Sequence, residues 1–360
     1  MTAECVRQTL FAAGEQGIHT YRIPALACTP SGAVLAFCEG RRASRSDTGD
    51  IALVVRRSAD GGRTWSAIRT VWADPGNTCG NPCPVVDRGT GIVWLLMTWN
   101  LGVDRESQIV AQTSRDTRRV FVTRSADDGL TWDRPREITD AVKRPEWTWY
   151  ATGPGAGIRI EHGAWAGRLV VPCDHIEAGT RHYYAHVIYS DDHGKTWQLG
   201  GSTPRDQVNE CEVAELRDGR LMLNMRNYDR AQRTRKVSLS HDGGASWGPL
   251  RADEALVEPI CQASIRRYCW GSGGDAGVIL FANPADAAER RNMTIRVSHD
   301  DAATWPACRT LHAGPAAYSC LAAMPDGDVG CLYECGAEHP YERIELACFP
   351  LSWIESRDEA

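Results

Sequence analysis

Guanidinium and carboxylate side chains gather at three places in this 360-residue chain, each directly after a short apolar run. Cys38-Glu39-Gly40-Arg41-Arg42-Ala43-Ser44-Arg45-Ser46-Asp47 follows the run that ends at Phe37. Asn224-Met225-Arg226 follows Leu223, and Tyr333-Glu334 follows Leu332. A guanidinium offers a planar fork of donors that matches a carboxylate or phosphate, and a carboxylate can serve as acid or base. Arginines concentrated on a chain of net charge −6 imply a local anion site, not long-range steering.

Metal chemistry is not expected. Cys79/Cys83 and Cys331/Cys335 share a C-x3-C spacing, but the gap is wrong for a zinc site and no histidine stands at finger spacing. The 14 cysteines read as reduced thiols filling strands and loops, with no cofactor implied. The mild acidity excludes nucleic acid as the main partner, because phosphate binding wants a basic face. No apolar stretch reaches the roughly 18 residues of a membrane helix. Met1-Thr2-Ala3-Glu4-Cys5-Val6-Arg7 has neither a basic leader nor an apolar core, so a cytoplasmic protein is expected, with secretion the alternative.

The elements that position the arginines are visible through repetition. Trp outnumbers Phe by 13 to 5, and five Trp close copies of S-x-D-x-G-x-T-W: Ser58–Trp65, Ser125–Trp132, Ser190–Trp197, Ser240–Trp247 with Ser246 for Thr, and Ser298–Trp305 with Ala302 in the Gly place. Each copy follows an alternating, β-branched run, so each is read as a hairpin turn. The Asp accepts hydrogen bonds from its own backbone, the Gly supplies a positive φ, and the Trp folds back to plug the hairpin base. These carboxylates are therefore structural and not catalytic. Gly-led apolar runs recur at Gly32, Gly91, Gly167, Gly219, Gly277 and Gly327, at spacings of 59, 76, 52, 58 and 50 residues. Such runs read as strands buried on both faces, here the innermost strands of radial units. All-β units of this length, with no helical period between them, predict a single six-bladed β-propeller over residues 1–360. The stretch before Gly32 is expected to pair with the C-terminal strands and close the ring.

With these motifs in hand, the chain resembles the sialidases (neuraminidases). Tyr21-Arg22-Ile23-Pro24 ahead of the first blade, combined with several boxes, carries the resemblance, which extends to Leu332-Tyr333-Glu334. It implies an exo-α-sialidase acting on sialylated glycoconjugates, with no metal or cofactor. Three carboxylate-binding arginines would be Arg22, Arg226 and Arg290, with Arg291 as the neighbouring rival. Arg41 is placed with the substrate-binding residues. Glu334 is placed there too, as the acid holding Arg22. The acid/base residue would be Asp47 (rival Asp50), the nucleophile Tyr318, and its partner Glu210 (rivals Glu212 and Glu215).

The residue types suit such a substrate. Sialic acid carries a carboxylate on its anomeric carbon, which three guanidiniums can fix. A carboxylate nucleophile would meet that charge, whereas a phenol would not, and sialidases are the tyrosine exception to the two-carboxylate rule. A free phenol titrates near 10, so it needs an adjacent base. Segments 99–117, 147–157 and 81–84, with Tyr183 and Tyr184, are candidates for contacts to the rest of the sugar. Trp147, Trp149 and Tyr150 serve equally well as plugs between blades. Two alternatives stand beside this reading: a non-catalytic propeller that binds acidic glycans, or an enzyme of altered chemistry (a trans-sialidase, or one preferring a deaminated sialic acid).

Overall fold

Every Gly-led run forms a strand, but each is the second strand of its blade and not the innermost. The computed structural model describes residues 4–356; residues 1–3, part of the segment read above for a leader, and 357–360 lie outside the described residues. The chain folds as a six-bladed β-propeller of four-stranded antiparallel sheets. The innermost strands of blades one to five are Thr20–Cys28, Thr78–Asp87, Trp147–Thr152, Val208–Glu215 and Ser264–Cys269. The continuous strand Ala307–Ala323 pairs with Arg291–Ser298 of blade five, then with Val329–Cys335 as the innermost strand of blade six.

Crowding explains why the sequence pattern points one strand too far out. Innermost strands of neighbouring blades pack on one another around the axis. Some of them are rich in small or polar residues, as in TCGNPCPVVD over Thr78–Asp87 and VNECEVAE over Val208–Glu215, although WTWYAT over Trp147–Thr152 is not. Second strands such as Val34–Arg41, Val278–Pro284 and Val329–Cys335 are buried along their whole length between blades and hold the bulky aliphatic residues. Closure follows the expectation in part. Val6–Ala12 pairs antiparallel with Arg343–Phe349 as the outer strand of blade six, while Thr20–Cys28 already opens blade one.

The boxes lie between third and fourth strands, on the face opposite the loops that join second to third strands. In the third box Ser190 donates to Asp192 Oδ1 (2.8 Å), and the Thr196 amide and hydroxyl donate to the same carboxylate (2.9 and 2.7 Å). The turn also acts as a wedge between blades. Trp197 meets Trp94 of blade two edge-on, with centroids 6.4 Å apart, and Trp132 meets Phe37 of blade one at 5.6 Å. Gly194 has φ 84°, and a Cβ there would lie 2.2 Å from the Trp94 ring. These Trp thus seal seams between blades, beyond the expected hairpin base.

Candidate active site

Five of the innermost strands carry a β-bulge at the same end of the channel. Register slips by one residue between Arg22 and Ala25, Gly80 and Cys83, Trp147 and Tyr150, Val208 and Cys211, and Ala316 and Ser319. A bulge re-aims a side chain that a regular strand would point into a seam. Asn81, Trp149, Glu210 and Tyr318 lie within these bulges and Arg22 at the edge of one. All five line a cavity of about 240 Å³. Pro24 and Pro82 sit inside two of the slips, where a missing amide costs no ladder bond.

The centre of the cavity is a hydrogen-bonded cluster. Tyr318 donates its hydroxyl to Glu210 Oε1 at 2.5 Å. Arg226 Nη1 reaches Glu210 Oε2 at 2.5 Å and the Tyr318 oxygen at 3.2 Å. Burial pushes the Tyr318 phenol up and the Glu210 charge adds to it, so the hydroxyl keeps its proton although Arg226, Arg290 and Arg22 oppose the shift. Arg22 and Arg290 lie 4.9 and 5.6 Å from the Tyr318 ring centroid, and Arg22 also covers the Tyr341 ring at 3.8 Å. Arg290 donates to the Tyr341 hydroxyl at 2.7 Å. Three guanidiniums therefore surround one phenol at the head of the cavity.

Glu334 lies behind this cluster. It receives Arg22 Nε (2.8 Å) and Nη2 (3.2 Å), and its two oxygens also take the amides of Ile23 (2.9 Å) and Tyr318 (3.1 Å). Both its oxygens are spent on Arg22 and these amides, so it positions Arg22, the role expected for it. Ile23, between the two, is held at φ 61°, a left-handed conformation that a β-branched residue adopts only when its surroundings fix it.

Asp47 stands on the loop between the second and third strands of blade one. Its Oδ1 is 2.6 Å from Arg41 Nη1, and its side chain is 63% exposed. Burial pushes its carboxyl up, but Arg41 and Arg22 outweigh that and hold it below the usual carboxylate range. Arg41 lines the cavity with its donors already engaged: Nε and Nη2 go to Glu39 (2.9 and 2.7 Å) and Nη1 to the Arg45 carbonyl (2.7 Å). It anchors the Asp47 loop.

The rivals fall elsewhere. Asp50 faces Arg42 at 3.4 Å and Arg291 faces Glu289 at 3.8 Å, both off the cavity. Glu212 is fully buried, receiving the Ala156 and Ile265 amides and the Ser264 hydroxyl. Glu215 accepts the amides of Glu161 and His162 on the other side of the propeller. Of the loop candidates, Asn81 and Trp149 line the cavity, whereas Trp147 is a buried plug stacked on His175 at 3.5 Å. Tyr183 reaches the site only by stacking on Tyr228 (5.1 Å), and Tyr184 packs on His175. Sequence reasoning missed Arg118, Asp174, Tyr228 and Tyr341, and it named Glu106 only as part of segment 99–117. No motif marks them, because each comes from a different blade or loop.

A second cavity, about 220 Å³, opens at the far end of the axis between Arg88, Arg266, Glu161 and Glu215. Its Arg266 donates to the Ala156 and Gly157 carbonyls and its Glu161 receives Trp270 Nε1. Its phenol, Tyr268, donates to the Gly327 carbonyl and not to a carboxylate, so among the described residues the phenol–carboxylate–arginine cluster belongs to the first cavity.

Residues 32–331 match the family model described as a BNR repeat-like domain. The chain is 37% identical to "Sialidase" of Micromonospora viridifaciens across 96% of its own length, spanning about half (54%) of that longer relative. It is 32% identical to human "Sialidase-3", covering 93% of this chain and 90% of that one. Among solved structures it is similar to "Hadza microbial sialidase Hz136", with a TM-score of 0.85 at 32% identity, covering 97% of this chain and 69% of that one.

Proposed function

The chain belongs to the sialidase family, and on that premise we propose that it is an exo-α-sialidase, a glycoside hydrolase releasing terminal sialic acid from glycoconjugates with retention of configuration. The observation that carries this reading is the phenol of Tyr318, hydrogen-bonded to Glu210 and surrounded by Arg22, Arg226 and Arg290. The three arginines take the substrate carboxylate and so fix the sugar ring. Tyr318 Oη then attacks the anomeric carbon while its proton passes to Glu210, which lowers the barrier set by a raised phenol. Asp47 protonates the departing glycosidic oxygen and the alcohol leaves. Water enters on the face the alcohol left, Asp47 takes its proton, and the new hydroxyl attacks the anomeric carbon opposite Tyr318, which departs and recovers its proton from Glu210. Two displacements give net retention.

Asp47 must be protonated to act as the acid, yet Arg41 and Arg22 favour its anion in the free protein. The substrate brings a negative charge onto Arg22 and excludes water, and both effects push the Asp47 carboxyl upward. Binding therefore prepares the acid. The test is turnover of an aryl α-sialoside and of a natural α-sialoside by wild type, Tyr318→Phe and Asp47→Ala. Tyr318→Phe should lose about 10²–10⁴-fold on both substrates. Asp47→Ala should lose about as much on the natural glycoside, and far less on the aryl one, whose leaving group needs no proton. No turnover by folded wild type would sink the enzymatic reading, and equal losses by Asp47→Ala on both substrates would remove the acid role.

A further inference from the structure

Asp174 is the anomaly of the cavity wall. It sits on Leu169–Glu177, the second strand of blade three, opposite Ala151 on one side and Ala185 on the other. It is 1% exposed, lines the cavity, and its Oδ2 has no hydrogen-bond partner in the protein. The neighbouring carboxylates differ. Glu39 and Asp47 are engaged by Arg41, and Glu210 by Arg226 and Tyr318. Glu106 is half-exposed. A buried, unpartnered polar group costs free energy unless a ligand satisfies it.

Its surroundings select the protonated form. Burial pushes the Asp174 carboxyl well above the usual range, and the charges of Glu210 and Glu106 push the same way against Arg226 and Arg118. Cys173 on its own strand, Tyr150 on the inner strand and Cys211 on blade four have thiols and a phenol that burial likewise pushes up. Tyr183 on the third strand of blade three and Tyr228, in the loop after the second strand of blade four, behave alike. Those groups stay uncharged. His175, the next residue, stacks on Trp147, and burial lowers it to about 3, so it too stays neutral. An ionised Asp174 would add to the negative charge of Glu106 and Glu210 and repel an anionic sugar, whereas an O–H does not.

We propose that Asp174 is a substrate-binding residue that donates its carboxylic-acid O–H to an uncharged oxygen of the sugar, either an acyl carbonyl or a hydroxyl of the side tail. This assignment rests on the exo-sialidase reading above. It makes the wall shared with Glu106 a site of discrimination among sialic acids, separate from the arginines that hold the carboxylate.

The experiment measures kcat and KM for a 4-methylumbelliferyl α-sialoside from acid to alkaline pH in wild type, Asp174→Asn and Asp174→Ala. Thermal melting accompanies it to show that each variant folds. Asp174→Ala should raise KM about tenfold with kcat little changed. Asp174→Asn, whose amide donates without titrating, should stay within about threefold of wild type. Wild-type KM should climb with pH as Asp174 loses its proton, and the Asn variant should not share that climb. Substrates lacking the N-acyl group or the terminal tail carbons identify the acceptor, since the Ala penalty vanishes with whichever one supplies it. An unchanged KM in folded Asp174→Ala overturns the proposal. So does an Asn variant no better than Ala. If Ala does not fold, the pH profile of Asn against wild type decides. If wild type shows no turnover, titration with a 2,3-unsaturated sialic acid reads the same site. A tenfold weaker Kd in Asp174→Ala then keeps the binding role while hydrolysis falls, and equal affinity overturns the role.

Discussion

The two faces of the propeller use carboxylates in opposite ways. On the box face each Asp is satisfied within its own eight residues. Hydrogen bonds from the Thr64 hydroxyl and amide, for example, hold the Asp60 carboxyl far below its ordinary range. On the cavity face the central partners are remote in sequence, although Arg41 holds Glu39 and Asp47 locally: Glu334 meets Arg22 across 312 positions and Glu210 meets Tyr318 across 108. Local satisfaction gives a module that recurs five times with only minor variation, Ser246 for Thr and Ala302 for Gly. Remote satisfaction gives a site that exists only when the ring has closed, and in which burial and neighbouring charge, not the turn, set protonation.

The largest test of this contrast is Glu334→Gln. Removing one partner of a buried ion pair leaves Arg22 uncompensated, so a loss of about 3–5 kcal/mol is expected by chemical denaturation, along with activity. A loss below about 1 kcal/mol would mean that the cavity face is no more interdependent than the boxes.

Next is Glu212, buried in the channel and pushed up to about 7 from an ordinary 4.5 by burial, despite nearby Arg266 and three hydrogen bonds. The native state therefore holds a proton that the unfolded chain releases between those values. Stability should fall as pH rises through that window, by up to about 3 kcal/mol, and Glu212→Gln should abolish the fall. Parallel stability–pH curves for the two proteins would refute this.

The smallest effect is expected from Asp242→Ala. It should cost about 1–2 kcal/mol, because Ser240 and Ser246 lose their acceptor, and leave kcat unchanged. A changed kcat would break the division between faces.

The same contrast decides what could be read from the chain. Box Trp and Gly-led runs reveal the blade number because each reports contacts inside one short segment. The runs were nonetheless placed innermost, since hydrophobic pattern marks the strand sandwiched between blades, while an innermost strand such as TCGNPCPVVD carries no continuous apolar run. In the site, Arg22, Glu210 and Tyr318 were found through their motif context. Arg118 and Asp174 were not, for a lone Arg or Asp on a loop or strand has no pattern. Pro24 and Pro82 were a usable hint of bulges that went unread.

Sequence by itself determined the architecture, the boxes and the arginine, phenol and carboxylate types, because hydrogen bonds within a turn and alternation along a strand are local physics. Only the tertiary structure decided which carboxylate is ionised, which is neutral, and which side chains bulges turn into one cavity. Those outcomes depend on burial and charge contributed by six blades at once.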